Sequence, residues 1–303
     1  MILVIGEILF DIFPDYKRLG GAPFNFSFHL KSLGMPVRFV TRIGSDIEGR
    51  EMSTHLQKNG FEMSDVQIDP EHASGRVLIE LTDKGIPEFN ILPNVAYDHI
   101  FFDDSIKSLL NEKIELIYFG TLIQRSQMGY NTIQKILSYK KPYTKCFYDV
   151  NLRPNCYTQA IVMESLRHSD ILKLNDEELI EIRDMLGIKG DIDSFINFLI
   201  QEYCLDMIAV TKGSRGSSLY IGDKGYTMEL TETTDIIDTV GAGDAFSAIL
   251  AIGYLKGWDP NSILTVASAF ASQICGIEGA VPSDSQFYRE ISDIISEIEN
   301  GQK

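Results

Sequence analysis

The chain has 303 residues and a formal charge of −16, with 27 Lys plus Arg against 43 Asp plus Glu. That length carries a sizeable core, and that charge repels a phosphate backbone or an anionic leaflet, which speaks against nucleic acid or a membrane surface as partner. Hydrophobic residues make up 44 % and charged ones 23 %, and no apolar run approaches the roughly 18 residues that span a bilayer.

The first residues, Met1 to Gly6, enter an apolar strand with no secretory pattern. Cys146, Cys156, Cys204 and Cys275 are scattered with no C-x-x-C pair, and the histidines show no metal spacing. A cytoplasmic protein without structural zinc is expected.

In chain order, short runs rich in Val, Ile and aromatic residues alternate with helical patterns, the mark of βα units and a mainly parallel sheet. The spacing predicts strands at Ile2 to Ile5, Val37 to Thr41, Ile114 to Phe119, Lys145 to Tyr148, Ile171 to Lys173 and Met207 to Thr211. Helices are predicted at Asn25 to Leu33, Gly49 to Lys58, Gly129 to Ser138, Asp176 to Leu186 and Ile192 to Tyr203, where apolar residues recur three or four apart. Two later helices, Asp244 to Lys256 and Pro260 to Cys275, are rich in Ala, Ser and Gly, which suits close packing. Gly75 to Leu92 breaks the rhythm, because apolar residues alternate on either side of Thr82-Asp83-Lys84-Gly85 and read as a hairpin. With the strand-like segment Ile8 to Lys17, it makes either a small sheet standing off the body as a lid or an antiparallel edge on the main sheet.

Thr239-Val240-Gly241-Ala242-Gly243-Asp244 precedes the first of the small-residue helices. Glycines let backbone N–H groups converge at a helix N-terminus, where orphan donors and the helix dipole favour a phosphate. Asp244 in the same turn is badly placed to bind an anion but well placed to take a proton from an attacking hydroxyl. Alone, the tetrapeptide reads more simply as a glycine turn with an Asp N-cap. It is not a dinucleotide fingerprint, since Phe246 stands at the third glycine position, and the chain has no G-x-x-x-x-G-K-[ST].

Asp238 to Phe246 resembles the C-terminal signature of the ribokinase-like carbohydrate kinases, also called the phosphofructokinase B family. Five other segments agree in order: Gly6-Glu7-Ile8-Leu9-Phe10-Asp11, Gly20-Gly21-Ala22-Pro23-Phe24-Asn25, Asp149-Val150-Asn151-Leu152-Arg153, Asn175-Asp176-Glu177-Glu178 and Thr211-Lys212-Gly213-Ser214-Arg215-Gly216. The resemblance covers nearly the whole chain and is strongest to fructokinase-type members. It implies an α/β fold, a three-layer α/β/α domain over residues 1–303 with a central mainly parallel sheet and a small β-sheet lid at about 8–18 and 74–97.

It also implies an ATP-dependent sugar kinase in which Asp244 is the base and the Gly241, Ala242 and Gly243 amides hold the transferred phosphate, with Arg153 steadying its charge. On sequence grounds an Asp149–Arg153 ion pair competes with that last role. Asp11, Gly20, Gly21 and Asn25 match the family's sugar contacts, and Thr211, Gly213, Gly216 and Ser268 its nucleotide site. Asn175 and Glu178, three apart at a helix start, match a motif that supports Mg2+ and nucleotide phosphates through water; by spacing alone they read as a capping pair. Asp238, the Val240 carbonyl and the stretch Cys275 to Ala280 match a K+ loop.

Phe24 and Phe26 stand where fructokinases usually carry small residues, which implies a reshaped pocket. The lid's end, Ile91-Leu92-Pro93-Asn94, lacks the arginine expected for a carboxylated sugar. Fructose leads among acceptors, before other ketoses, ribose, nucleosides and 2-keto-3-deoxygluconate; a non-catalytic sensor on the same fold is the alternative from another class. A homodimer would hide exposed edges of the lid sheet.

Overall fold

The structure, a computed structural model, describes residues 1–81, 87–229, 236–282 and 284–301; the expected turn Thr82 to Gly85 lies outside them. The strands are β1 (Ile2–Ile5), β2 (Leu9–Ile12), β3 (Lys17–Gly20), β4 (Val37–Gly44), β5 (Val66–Asp69), β6 (Gly75–Leu81), β7 (Pro87–Ile91), β8 (Leu116–Gly120), β9 (Lys145–Asp149), β10 (Ile171–Asn175), β11 (Met207–Thr211), β12 (Ser217–Ile221) and β13 (Lys224–Met228). The helices are α1 (Ala22–Ser32), α2 (Ile47–Lys58), α3 (Asp104–Leu109), α4 (Gln127–Tyr139), α5 (Gln159–His168), α6 (Asp176–Met185), α7 (Ile192–Tyr203), α8 (Ala242–Lys256), α9 (Pro260–Cys275) and α10 (Arg289–Gly301).

Among the described residues, β13-β12-β11-β10-β9-β8-β1-β4-β5 form one sheet, parallel from β11 through β5. Its strands alternate side chains between two apolar layers. Ile2 and Val4 of β1 join the core beneath α1, α8 and α9, while Leu3 and Ile5 join the core beneath α4 to α7. Burial on both faces explains the continuous hydrophobic runs. The two small-residue helices pack closely: a Cβ on Gly253 of α8 would stand 2.6 Å from Ile263 Cγ1 of α9.

Both readings of the odd strands have a counterpart. Gly75 to Leu92 supplies β6 and β7 of a separate sheet in the order β3-β2-β6-β7. The antiparallel edge of the main sheet is instead β12 and β13. The segment expected as one strand at Ile8 to Lys17 is two strands joined by a turn in which Phe13 N donates to Tyr16 O at 2.9 Å. Pro14 and Asp15 are the turn residues responsible. The second of these strands runs to Gly20, so the lid sheet reaches past residue 18. Among the described residues, no helix is long and apolar enough to cross a membrane.

Candidate active site

Parallel strands deliver their ends to one edge, and the carboxyl ends of β1, β8, β9, β10 and β11 lead into the segments carrying Glu7, Thr121, Asp149, Asn175 and Thr211. Two helices enter from the glycine segments. Gly21, at φ 112°, precedes α1, and a Cβ there would fall 2.7 Å from the Glu7 carbonyl oxygen. Gly241, at φ 82°, precedes α8, and a Cβ there would fall 2.4 Å from Ala280 Cβ. Both positions are left-handed and crowded, so only glycine lets the chain pass.

The two helices meet at the site. Asn25 Nδ2 donates to Asp244 Oδ2 at 2.7 Å, with both residues buried. Burial, then the Asp149 carboxylate, push Asp244 up to about 7 against the opposing pull of Asn25, Lys173 and Arg153. No side chain caps α8, and Ala242 N reaches only Thr239 O at 3.4 Å, so donors of its first turn remain for a ligand.

Asp149 lies beneath this turn and does not pair with Arg153. Its Oδ1 accepts from Lys173 Nζ at 3.0 Å, and its Oδ2 accepts from Ser247 Oγ at 2.8 Å and Tyr118 Oη at 3.1 Å. Lys173 and Asp149 are register partners on β10 and β9. A Cβ on Gly243 would stand 3.1 Å from Lys173 Nζ, so a buried ammonium backs the glycine turn. Burial opposes its charge, but Asp149, Glu178 and Asp244 outweigh that and hold the Lys173 pKa above its ordinary value. The sequence reading missed Lys173 because a lone lysine after an apolar run reads as a strand's end.

On the lid side, Asp11 of β2 is half-buried, and burial raises it to about 6 against Arg153 and Arg18. Gly20 lies beside its carboxylate. Glu7, absent from the expected set, is buried and pushed up to about 7 by that burial. Glu7 Oε2 and Asn25 Oδ1 are buried without a hydrogen-bond partner, the pattern of a site that awaits a polar ligand. Arg153 is exposed and carries no ion pair among the described residues, while its charge acts on Glu7, Asp11 and Asp244.

Asn175 and Glu178 form the capping box that their spacing suggests. Asn175 Oδ1 accepts from Glu178 N, and Glu178 Oε2 accepts from Asn175 N, both at 2.8 Å, while Glu178 Oε1 accepts from Leu152 N at 2.8 Å. Burial nonetheless holds the Glu178 pKa above its ordinary value. Thr211 ends β11, and Gly213 and Gly216 turn the chain into β12 at φ 57° and 89°. Ser268 of α9 is 4 % exposed and its hydroxyl meets that of Ser217 at 3.0 Å, tying α9 to β12.

Phe24 and Phe26 do not reshape a pocket. Both are fully buried, Phe24 against Phe28, Phe39 and Phe61, and Phe26 stacked on Tyr118 with centroids 3.9 Å apart. A helix wedged between the sheet and α8 needs apolar side chains all round.

Asp238 accepts from Arg18 Nη1 at 2.9 Å, Val240 N at 3.0 Å and Gly279 N at 3.1 Å, which ties the lid to the loop before α8. Asp238, Val240 and Ala280 thus converge, together with an arginine the resemblance did not imply.

Comparison with known proteins identifies the fold and the family. A fructokinase of Rhizobium leguminosarum bv. trifolii is 27 % identical over 288 residues, spanning 88 % of this chain and 82 % of its own. The crystal structure of an uncharacterized sugar kinase from Pyrococcus horikoshii superposes with a TM-score of 0.82 at 23 % identity, covering 98 % of this chain and 99 % of the other. The fructokinase of Xylella fastidiosa with bound ATP also reaches 0.82, at 21 % identity and 98 % of both chains. The family model described as pfkB family carbohydrate kinase matches residues 15–286, and on that match the chain belongs to the pfkB family of carbohydrate kinases.

Proposed function

We propose that the protein is an ATP-dependent kinase that moves the γ-phosphate to a primary hydroxyl of a small neutral sugar, with fructose first among acceptors. The observation that carries this reading is the meeting of Asp244 with Asn25 at the uncapped start of α8. Asp11, Gly20, Gly21 and Asn25 hold the sugar's hydroxyls, whose polar groups would satisfy the unpartnered Asn25 and Glu7 oxygens. Asp244 accepts the proton of the attacking hydroxyl as its oxygen bonds to the γ-phosphorus and the bond to the ADP oxygen breaks. Amides of Gly241, Ala242 and Gly243, with Lys173 behind them and Arg153 in front, stabilise the charge that spreads over the phosphoryl oxygens.

Thr211, Gly213 and Gly216 border the nucleotide, with Ser268 in support through Ser217. The residues present suit Mg2+. Asp149, Glu178 and Asp244 are three buried carboxyl groups against one buried ammonium, Lys173, a set of hard oxygen groups that suits a hydrated divalent cation. Glu178 and Asn175 would hold it through water; when bound, it screens the phosphate charge.

A neutral acceptor is favoured because the arginine near the lid's end is spent. Arg125 donates to the Leu92 carbonyl, but its guanidinium is also paired with Asp98 through two bonds of 2.7 and 2.8 Å. The four cysteines are free, in keeping with a reducing cytoplasm. The edge strand β7 with exposed Phe89 is where a second copy would pair. One domain over 1–303, with the lid hinged upon it, completes the reading.

The test is ADP formation by the purified protein with fructose, ribose, other ketoses, 2-keto-3-deoxygluconate and nucleosides in the presence of Mg2+. Turnover on one sugar, lost in Asp244→Asn, supports the reading. Silence across the panel by folded protein that binds ATP refutes it in favour of a sensor.

A further inference from the structure

Arg18 is the cross-strand partner of the sugar-side Asp11 in the pairing of β2 with β3. Its side chain leaves the lid and crosses to the segment before α8 and the segment after α9. Nη1 donates to Asp238 Oδ2 at 2.9 Å and Nη2 to the exposed Glu278 Oε2 at 3.1 Å. Within the lid, the guanidinium lies 4.8 Å from the ring centroid of Tyr16 and 5.5 Å from that of Phe13, two rings stacked 4.3 Å apart at the hairpin turn. The aromatic pair holds the fork in place before it reaches its partners.

Asp238 is the hub beyond. Its carboxylate ties Val240 N, one residue before Gly241, to Gly279 N, one residue before the Ala280 that packs on Gly241. The position of the glycine turn therefore depends on Asp238, and Asp238 is held by an arginine that arrives with the lid. The resemblance places a K+ among Asp238, Val240 and Ala280, and the structure does not fit that ion. A guanidinium already stands at hydrogen-bond distance from the carboxylate, and a second cation there would meet a like charge.

We propose that Arg18 is a positioning residue that couples the closed lid to the assembled phosphate hole and supplies the positive charge at Asp238, so that the enzyme works without a monovalent cation. The inference rests on the kinase reading.

The experiment compares wild type, Arg18→Met and Arg18→Lys in K+, Na+ and tetramethylammonium salts, by steady-state ADP formation on the accepted sugar and by melting temperature without substrate. Wild type is expected to show equal rates and equal melting temperatures in the three salts. Arg18→Met should lose about tenfold or more in kcat, the scale of a misplaced catalytic turn, and recover part of it in K+. Its melting temperature should rise in K+ over tetramethylammonium, a response that a merely structural contact would not produce. Arg18→Lys keeps a charge without the paired contacts and should be intermediate and indifferent to K+; it stands in should the Met variant not fold. A wild type that requires K+, or an Arg18→Met protein with unaltered kcat and no thermal response to K+, overturns the proposal. A wild type silent on every sugar sinks the kinase reading instead, while the melting temperatures still decide whether Arg18 occupies the cation's place.

Discussion

Helices α2 to α7 and α9 begin at Asp46, Asp103, Ser126, Thr158, Asn175, Asp191 and Asp259, whose side chains accept from the first turn, whereas α1 and α8 begin at Gly21 and Gly241 with no capping side chain. These two glycine-started helices are the ones that meet through Asn25 and Asp244. A side-chain cap satisfies the orphan N–H groups of a helix and contributes about 1 kcal/mol to its stability. A glycine start forgoes that contribution and leaves the helix start open to a ligand, the sugar at α1 and the phosphate at α8, so helix starts serve stability at seven places and the site at two.

The sharpest way to break this contrast is Asp244→Asn, which keeps α8 and its shape but removes the base. Its kcat should fall at least about a hundredfold, the lower end of the usual general-base range, while calorimetry still detects ATP and sugar. A near-normal rate would refute the base assignment and reduce α8 to an ordinary helix.

Next is Lys173→Met, which takes the ammonium from behind the glycine turn and leaves the Asp149 carboxylate buried against Tyr118 and Ser247 alone. Breaking such a pair costs about 3–5 kcal/mol in denaturant unfolding. Adding Asp149→Asn should restore part of the stability but not the rate, which separates the phosphate role from the structural one. Gly241→Ala should cost less, about 1–3 kcal/mol for a side chain at φ 82°, with kcat reduced because Ala280 must give way. A variant with unaltered rate and melting temperature would show that glycine is not required there.

How much of this contrast the sequence discloses follows from the range of the interactions. Local signals carry the elements: β1, β11, α7 and α9 have the expected bounds, and the Asn175 capping box is visible in four residues. The motif residues Asp11, Asn25, Asp149 and Asp244 are legible through resemblance. Lys173 and Arg18 are not, because their roles are set by partners 24 and 220 residues away, and neither lies in a motif. Helices α5 and α10 escape notice although Thr158 caps the first, and Phe26 of α1 misleads because its neighbour Tyr118 belongs to β8, far along the chain.

The acidic groups give a pH signature. Asp244 and Glu7 lie at about 7 and Asp11 at about 6, all above their ordinary values, with burial the first cause in each. A carboxyl whose folded pKa is raised holds its proton more tightly folded than unfolded, so stability falls as pH climbs from about 4 to about 7. Activity should run the other way, since the base works ionised: kcat/KM for the sugar rises through pH 6 to 8 and levels off. A flat rate profile over that range, or a melting temperature that climbs with it in the ligand-free protein, would contradict the buried-carboxylate account.

The smallest effect tests the contrast most finely, because it compares two capped helices that differ only in where they point. Asp191 caps α7 on an exposed surface by accepting from Ser194 N, and Asn175 caps α6 at the carboxyl end of β10 by accepting from Glu178 N. Replacing either by Ala should cost about 0.5–2 kcal/mol of stability, since each strands one first-turn donor. Only Asn175→Ala should also raise KM for MgATP, because it removes the side-chain amide proposed to hold the hydrated cation, while the Glu178 carboxylate keeps its bonds from the backbone N–H groups of residues 175 and 152. If both variants alter the melting temperature alike and neither alters KM, then Asn175 is a cap and nothing more, and the nucleotide side of the site rests on Thr211, Gly213 and Gly216.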